Sequence, residues 1–204
     1  MRKVCIVVLI VLIVVGTVVY RKASHNDGGS LKDIRDGQIY RTIQIGDQVW
    51  MAENLNYDNI ASGKSYCYDD KPENCQKYGR LYTWKDAVKA CPIEWHLPTL
   101  TDWNTLLATV GGKDKAGKVL KAANGWNKDG NGSDSWGFSA VPGGGRDEKG
   151  VFDGMGSFAF FWVSAQDPNG YPLITGLTFS NENSLLIPLE GDGSVSVRCI
   201  KFNY

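Results

Sequence analysis

The sequence predicts an α+β domain with two main helices and mostly antiparallel, loop-rich strands, preceded by one N-terminal transmembrane helix. An uncharged apolar run at 4–20 predicts the transmembrane helix. Two stretches with helical spacing lie in the middle of the chain, and short apolar runs separated by glycines follow them. Because helices and strands are grouped rather than alternating, the pattern favours an α+β fold over a wound parallel sheet.

The composition is that of a folded protein without a dominant charge. Hydrophobic residues make up 43% of the sequence, which disfavours a disordered chain. The length of 204 residues fits one domain plus an appendage. The 22 basic and 22 acidic residues cancel, so no field of one sign attracts nucleic acid. We therefore expect no nucleic-acid partner. The 24 glycines and seven tryptophans indicate a loop-rich fold with an aromatic core.

Residues 1–22 form the predicted membrane segment. The run 4–20 is mostly Val, Ile and Leu, and basic residues flank both of its ends. A helix over this run would span roughly 25 Å, near the lower limit for a bilayer core. A cleaved signal peptide is the alternative, but the residues around Arg21 offer no small-x-small cleavage site. An uncleaved anchor that holds the protein to the membrane through residues 4–20 is therefore the favoured interpretation.

Residues 23–35 are predicted to be a linker, and residues 36–204 the domain. The first part of the linker is polar and rich in Gly and Ser, which is typical of a short flexible spacer. Apolar and polar residues then alternate over 38–45, and the apolar run 49–51 follows after a turn. This pattern predicts a hairpin with one buried face.

The first main helix is predicted to begin at Trp84 and to stop before Pro92, because proline cannot continue a helix. It carries Ala87 and Val88 at helical spacing and ends at Cys91.

The second main helix follows, with Thr99 or Thr101 as its N-cap. Its apolar face covers 103–110, and Gly111 ends it. A short third helix is predicted over 116–123. Strands joined by turns are predicted for the later apolar runs, which are 138–141, 158–165, 173–179, 185–189 and 195–201.

Four cysteines in the domain form an even set: Cys67, Cys75, Cys91 and Cys199. No histidines stand near them at metal-ligand spacing. Even sets of this kind in an exported chain indicate disulfides, and this places the domain outside the cytoplasm. The residues alone leave three possible connectivities open.

Several short segments resemble, in order, the signatures of one family. They are Asp36–Tyr40, Trp50–Tyr57, Tyr78–Trp84, Ala90–Pro92, Trp95–Thr99, Gly137–Ala140, Pro142–Gly144 and Ser196–Cys199. The chain is identified on them as a member of the Fibrobacter succinogenes major paralogous domain family, over roughly 33–201. Glu94 departs from the pattern, since the family more often has Gly there. The resemblance implies an exported bacterial domain of the cell envelope, with no established activity.

The middle of the chain is also similar to a C-type lectin-like domain. In that fold a cysteine that ends the first helix pairs with a cysteine in the last strand, and Cys91 and Cys199 stand at those places. The resemblance implies the pairing Cys91–Cys199, which leaves Cys67–Cys75 as the second disulfide. It does not carry a function with it.

One loop is a candidate metal site. Asp129, Asn131, Ser133 and Asp134 place oxygen atoms on a glycine-rich segment, and such oxygens suit a hard cation such as Ca²⁺. The alternative is an ordinary turn, because these residue types also bond their own backbone. No other cofactor is expected.

Three aromatic residues of the glycine-rich half are candidate ligand contacts: Trp126, Trp136 and Tyr171. Flat rings stack on sugar faces or anchor a protein interface. We predict a non-catalytic binding module of the bacterial cell envelope, anchored in the membrane, whose ligand is a polysaccharide or a cell-surface protein. Secretion after signal cleavage is the alternative location.

Two other functions stay open. The first is a structural envelope component without a small-ligand site. The second is an enzyme related to the formylglycine-generating enzymes, which share a lectin-like scaffold. That chemistry needs a reactive cysteine pair near the C-terminal end, where this chain has Cys199 alone. No catalytic residue is predicted, because His96 has no evident partner in the sequence.

Overall fold

The computed structural model describes residues 28–58 and 63–203. The predicted anchor at 1–22 and the first part of the predicted linker lie outside the described residues. Within the described ranges, no helix is both long enough and apolar enough to span a bilayer.

The described chain is α+β, as predicted. Its strands are β1 (Ser30–Lys32), β2 (Ile39–Ile45), β3 (Gln48–Met51), β4 (Ser65–Tyr66), β5 (Leu81–Thr83), β6 (Trp95–His96), β7 (Gly143–Arg146), β8 (Phe152–Met155), β9 (Phe158–Gln166), β10 (Pro172–Thr178), β11 (Ser184–Pro188), β12 (Ser194–Ser196) and β13 (Ile200–Lys201). Its helices are α1 (Pro72–Tyr78), α2 (Trp84–Ala90), α3 (Leu100–Thr109) and α4 (Lys113–Leu120).

The strands form two sheets that are mostly antiparallel. The smaller sheet has the order β1-β2-β3-β13-β6. The larger has the order β11-β10-β9-β7-β12-β5-β4, with β8 added beside β7. Parallel pairing occurs where β9 meets β7 and β12. The closing segment of the chain contributes β12 to one sheet and β13 to the other, so it joins the two sheets.

The predicted hairpin is confirmed. Strands β2 and β3 pair antiparallel, with Ile43 opposite Trp50, and buried residues alternate along β2. Gly46 has a positive φ of 60° in the turn, a conformation that glycine adopts without steric cost. Strand β1 also pairs with β2, although the sequence pattern predicted a linker there. Strand β1 forms because its backbone pairs with β2, and the composition of residues 30–32 does not show that pairing.

Both main helices lie where the sequence predicted them. Helix α2 ends at Cys91, just before Pro92. Thr99 is the N-cap of α3, and its hydroxyl accepts a bond from the backbone N–H of Asp102. Helix α4 begins and ends three residues before the predicted range 116–123. Helix α1 was not predicted.

The prediction of single strands at 138–141 and 195–201 was wrong. Phe138 and Ala140 are buried, but only an isolated bridge between Lys121 and Ala140 forms in that stretch. In the second stretch the strand pairing stops after Ser196 and resumes at Ile200. An apolar run predicts that its residues are buried, but buried residues do not have to pair as a β-strand.

Two apolar clusters form the core. One contains Trp50, Trp103, Phe138 and Phe161, and the other contains Tyr82, Trp162 and Cys199. The rings of Trp50 and Trp103 lie 4.8 Å apart. Many aromatic residues therefore fill a core between short elements, as the composition indicated.

Both expected disulfides are present. Cys67 bonds Cys75 across a separation of 8 residues, and Cys91 bonds Cys199 across 108 residues. The second joins the end of α2 to the residue before β13, with 5.8 Å between its Cα atoms. It thereby fixes the first main helix to the segment that joins the two sheets.

Candidate functional site

Hydrogen bonds connect the loop predicted to bind Ca²⁺ to neighbouring segments. Asp134 accepts from the backbone N–H of Ser139 at 2.7 Å and from the Ser139 hydroxyl at 2.6 Å. Asn131 accepts from the backbone N–H of Trp126, and the Ser133 hydroxyl donates to a backbone carbonyl. Asp and Asn side chains that accept from backbone N–H groups in this way also occur in ordinary turns. In the described part of the chain, no three acidic, His or Cys residues are grouped to hold a metal.

The three candidate aromatic residues do not form one surface. Trp126 is only 6% exposed, and its indole N–H donates to the carbonyl of Ala140 at 3.1 Å. It offers a ligand no free face and is a core residue. Trp136 is half-buried against the first core cluster, and Tyr171 is 39% exposed. Of the three, Tyr171 is the most open to a partner.

A polar cavity of about 230 Å³ lies where β2, the segment after β3, α1 and the segment before β13 meet. We call it the Arg198 pocket. Most of its wall residues come from five of the segments that carry the family resemblance: Asp36–Tyr40, Trp50–Tyr57, Tyr78–Trp84, Gly137–Ala140 and Ser196–Cys199. Residues far apart in sequence thus meet at one place, and sequence spacing alone could not predict it.

Arg198 is fully buried at the base of this pocket. Its Nε and Nη2 donate to Oδ1 of Asn54 at 3.1 and 2.5 Å. Its Nη1 donates to the carbonyls of Phe138 and Met51, and Nη2 also donates to the carbonyl of Ser139. All five guanidinium N–H groups therefore have acceptors. Among the described residues, Arg198 forms no ion pair with a carboxylate.

The charge of Arg198 is not neutralised by a direct partner. Burial lowers the pKa of Arg198 to about 9, and the more distant charges of Asp134 and Glu53 partly oppose this. Arg41 and Lys77 add two cations to the pocket wall, while Glu53 supplies one anion and lies 3.4 Å from Arg41. The pocket is therefore positive on balance.

Amide and hydroxyl groups complete the pocket. The hydroxyl of Tyr40 accepts from the backbone N–H of Asn56 at 3.1 Å. Burial raises the pKa of Tyr40 to about 12, so the hydroxyl keeps its proton at neutral pH. Oδ1 of Asn56 is buried and has no hydrogen-bond partner among the described residues. Buried polar groups therefore line this side of the pocket.

A second depression, of about 280 Å³, lies between α2 and the loops before β10 and β12. We call it the Trp84 groove and define it by Lys64, Trp84, Lys85, Asp86, Gln166, Pro172 and Asp192. The Trp84 ring lies 5.7 Å from that of Trp162. The groove combines one aromatic surface with charged and amide groups.

A third depression, of about 290 Å³, contains His96. Contrary to expectation, His96 has a partner: its Nε2 lies 3.2 Å from Oδ2 of Asp102. Its ring stacks on Phe202, and its Nδ1 is buried without a hydrogen-bond partner in the described chain. The hydroxyl of Thr99 donates to Asp102 rather than to the imidazole. An orienting carboxylate is therefore present, but no hydroxyl or thiol of the described residues bonds to this imidazole.

The sequence pattern did not predict that Arg198 bonds to Asn54 or that Asp102 bonds to His96. The signal for Asp102 was present, because a Thr followed three residues later by an acidic residue is a capping box. The signal for Arg198 was weaker: it is a charged residue inside the apolar run 195–201.

The family model described as the Fibrobacter succinogenes major domain matches residues 43–201. The match runs from β2 to β13 and includes all four cysteines of the two disulfides. No curated protein and no solved structure matches the chain.

Proposed function

This chain belongs to the Fibrobacter succinogenes major domain family, and from that premise we propose that it is a non-catalytic binding module of the bacterial envelope. Residues 4–20 anchor the protein in the membrane, and the domain lies outside the cytoplasm. Its ligand is a polysaccharide or a cell-surface protein. Release of the domain by signal cleavage is the alternative location.

The observation that carries this proposal is the convergence of five family segments on the Arg198 pocket. A cavity with a few convergent polar groups is the usual form of a small-ligand site. Arg41 and Lys77 at its wall, together with buried Arg198, favour a ligand that carries a carboxylate or another acidic group.

Two disulfides support a location outside the cytoplasm, because such bonds persist in oxidising compartments and are rare where thiols are kept reduced. The link between the end of α2 and Cys199 also supports a C-type lectin-like arrangement, in which the first helix is tied to the closing strand.

A structural envelope component without a small-ligand site is the main alternative. One observation favours it: every N–H of Arg198 already bonds within the protein, which is what a residue that only holds segments together would do. An enzyme related to the formylglycine-generating enzymes is the least favoured function. All four cysteines of the described residues are bridged, so none supplies a reactive thiol there.

Binding to an array of acidic and neutral glycans, and to extracted envelope proteins, tests the proposal. The protein for this test is residues 28–204, which contain both sheets and both disulfides. Lys77 is exposed on α1, so Lys77→Glu changes the charge of the pocket without disturbing the core. We expect it to weaken binding of an acidic ligand by about tenfold.

Lys149→Glu is the matched control, because Lys149 is exposed and does not line the pocket. It is expected to leave binding unchanged. If the domain retains neither glycans nor envelope proteins, the structural alternative takes the place of this proposal. If both variants bind an acidic ligand equally well, the Arg198 pocket is not the site of that ligand.

A further inference from the structure

We propose that the Trp84 groove is a second binding site, which takes a neutral pyranose unit of a carbohydrate chain. This site is separate from the Arg198 pocket and does not depend on the ligand of that pocket.

The groove has a fixed aromatic surface. Trp84 is half-buried and packs at 5.7 Å against Trp162, which is 1% exposed and whose indole N–H donates to the carbonyl of Tyr82 at 2.7 Å. The first turn of α2 is also fixed, because the Thr83 hydroxyl donates to buried Asp86 at 2.6 Å. A flat ring that does not need to be ordered on binding suits the C–H face of a sugar ring.

Polar side chains surround this aromatic surface. Gln166 and Asp192 are exposed at the groove. Nε2 of Gln166 donates to the carbonyl of Gly170, which leaves the amide oxygen to accept. A carboxylate such as that of Asp192 accepts bonds from two neighbouring hydroxyls of one ring. An aromatic surface beside an amide and a carboxylate is the chemistry that recognises a ring with equatorial hydroxyls.

The charges of the groove balance. Lys64 and Lys85 supply two cations, and Asp86 and Asp192 supply two anions. The groove therefore gives no preference for a charged ligand, in contrast to the Arg198 pocket. Its volume of about 280 Å³ lies at the lower end of small-ligand pockets, so it suits one or two sugar rings.

The loop that carries Asp192 turns at Gly191. Gly191 has a φ of 75°, and a Cβ at this position would collide with the carboxylate of Glu148. Another residue would be strained there, because this φ lies in the left-handed region. The glycine lets the chain turn and hold Asp192 at the edge of the groove.

The test uses the full chain with its disulfides intact, in a detergent that has no sugar headgroup. Cellotetraose is the neutral probe, because its equatorial hydroxyls leave C–H groups on both ring faces, and tetragalacturonate is the acidic probe. Calorimetry is expected to give a dissociation constant of about 1 mM or lower for cellotetraose. Trp84→Ala is expected to weaken that binding by at least about tenfold.

Because Trp84→Ala removes packing and could unfold the protein, Asp192→Ala is the second variant. Asp192 is exposed, so its loss should leave the melting temperature unchanged and weaken cellotetraose binding about threefold to tenfold. Asp129→Ala, an exposed aspartate outside the groove, is the matched control and should bind as the parent protein does.

Lys77→Glu separates the two sites: it should weaken tetragalacturonate binding and leave cellotetraose binding unchanged. The groove proposal is overturned if cellotetraose does not bind at about 10 mM, or if it binds folded Trp84→Ala and Asp192→Ala as tightly as the parent protein. Failure of tetragalacturonate alone contradicts the acidic ligand of the Arg198 pocket and leaves the groove proposal standing.

Discussion

Arg198 carries a charge into the core, and no carboxylate of the described residues pairs with it. Removing a cation from water is expensive, and the cost is tolerable only when every donor finds an acceptor. Arg198 achieves this with acceptors from Met51, Asn54, Phe138 and Ser139. Its planar guanidinium reaches all of them at once, which a lysine cannot do.

Arg198→Lys should therefore destabilise the domain strongly. Lysine has three donors in place of five, so at least one of the four buried acceptor atoms loses its bond, and the charge stays buried. We expect the free energy of unfolding to fall by about 2–4 kcal/mol. Urea denaturation measures it. Arg41→Lys, at an arginine whose side chain is 63% exposed, should change the same quantity by less than about 0.5 kcal/mol. If the two variants lowered the free energy of unfolding equally, the buried hydrogen bonds of Arg198 would not be what stabilises the domain.

Asp102 makes the stability of the domain depend on acid pH. Burial raises the pKa of Asp102, but bonds from Thr99 and His96 outweigh this, so the pKa lies below its ordinary value of 3.8. A carboxylate with a lowered pKa stabilises the fold above its ordinary pKa. That contribution is lost as the pH falls through the folded-state value.

Asp102→Asn should lower the free energy of unfolding by about 1–2 kcal/mol at neutral pH and by much less near pH 2. Denaturation curves at several pH values measure the difference. Asp114→Asn, at an exposed aspartate in the first turn of α4, serves as the control and should give a small difference throughout. A constant penalty for Asp102→Asn at every pH would show that its charge is not the cause.

At the scale of elements, the two disulfides differ in what they connect. Cys67–Cys75 closes a local loop around α1, whereas Cys91–Cys199 joins α2 to the segment between β12 and β13. In the chain-entropy account, a longer closed loop restricts the unfolded chain more. The long disulfide therefore acts on the whole fold.

Removing the two disulfides one at a time tests this difference. The double variant Cys91→Ala with Cys199→Ala should lose about 4–5 kcal/mol, and Cys67→Ala with Cys75→Ala about 2–3 kcal/mol. Thermal unfolding followed by circular dichroism compares them. If loss of Cys67–Cys75 lowers the melting temperature more than loss of Cys91–Cys199, the long disulfide is not the one that stabilises the whole fold.

For the whole molecule, the remaining prediction is its place in the cell. An uncleaved anchor at 4–20 should keep the full chain in the membrane fraction after alkaline extraction, with Met1 still present by mass spectrometry. Added protease should degrade the domain from outside intact spheroplasts. A mature chain that starts after residue 22 and appears in the medium would favour signal cleavage instead.

Sequence reasoning found the parts of the fold that depend on neighbouring residues. The β2–β3 hairpin follows from alternation, and the two main helices follow from spacing and from Pro92. Strand β1 could not be found in this way, because its stability comes from pairing with β2. The same holds for the core position of Trp126, since a tryptophan in a glycine-rich loop has the same local signal whether it is buried or exposed.

The sequence by itself determined the α+β class, the main helices, the hairpin and, through family resemblance, the pairing of the cysteines. Tertiary structure alone decided that Arg198 meets Asn54, that His96 meets Asp102, and that Trp84 lies beside Asp192 in one groove. The physical reason is the separation along the sequence of the residues that interact. Periodicity and caps act over a few neighbouring residues, whereas a pocket forms where distant segments pack together, and no local pattern encodes that meeting.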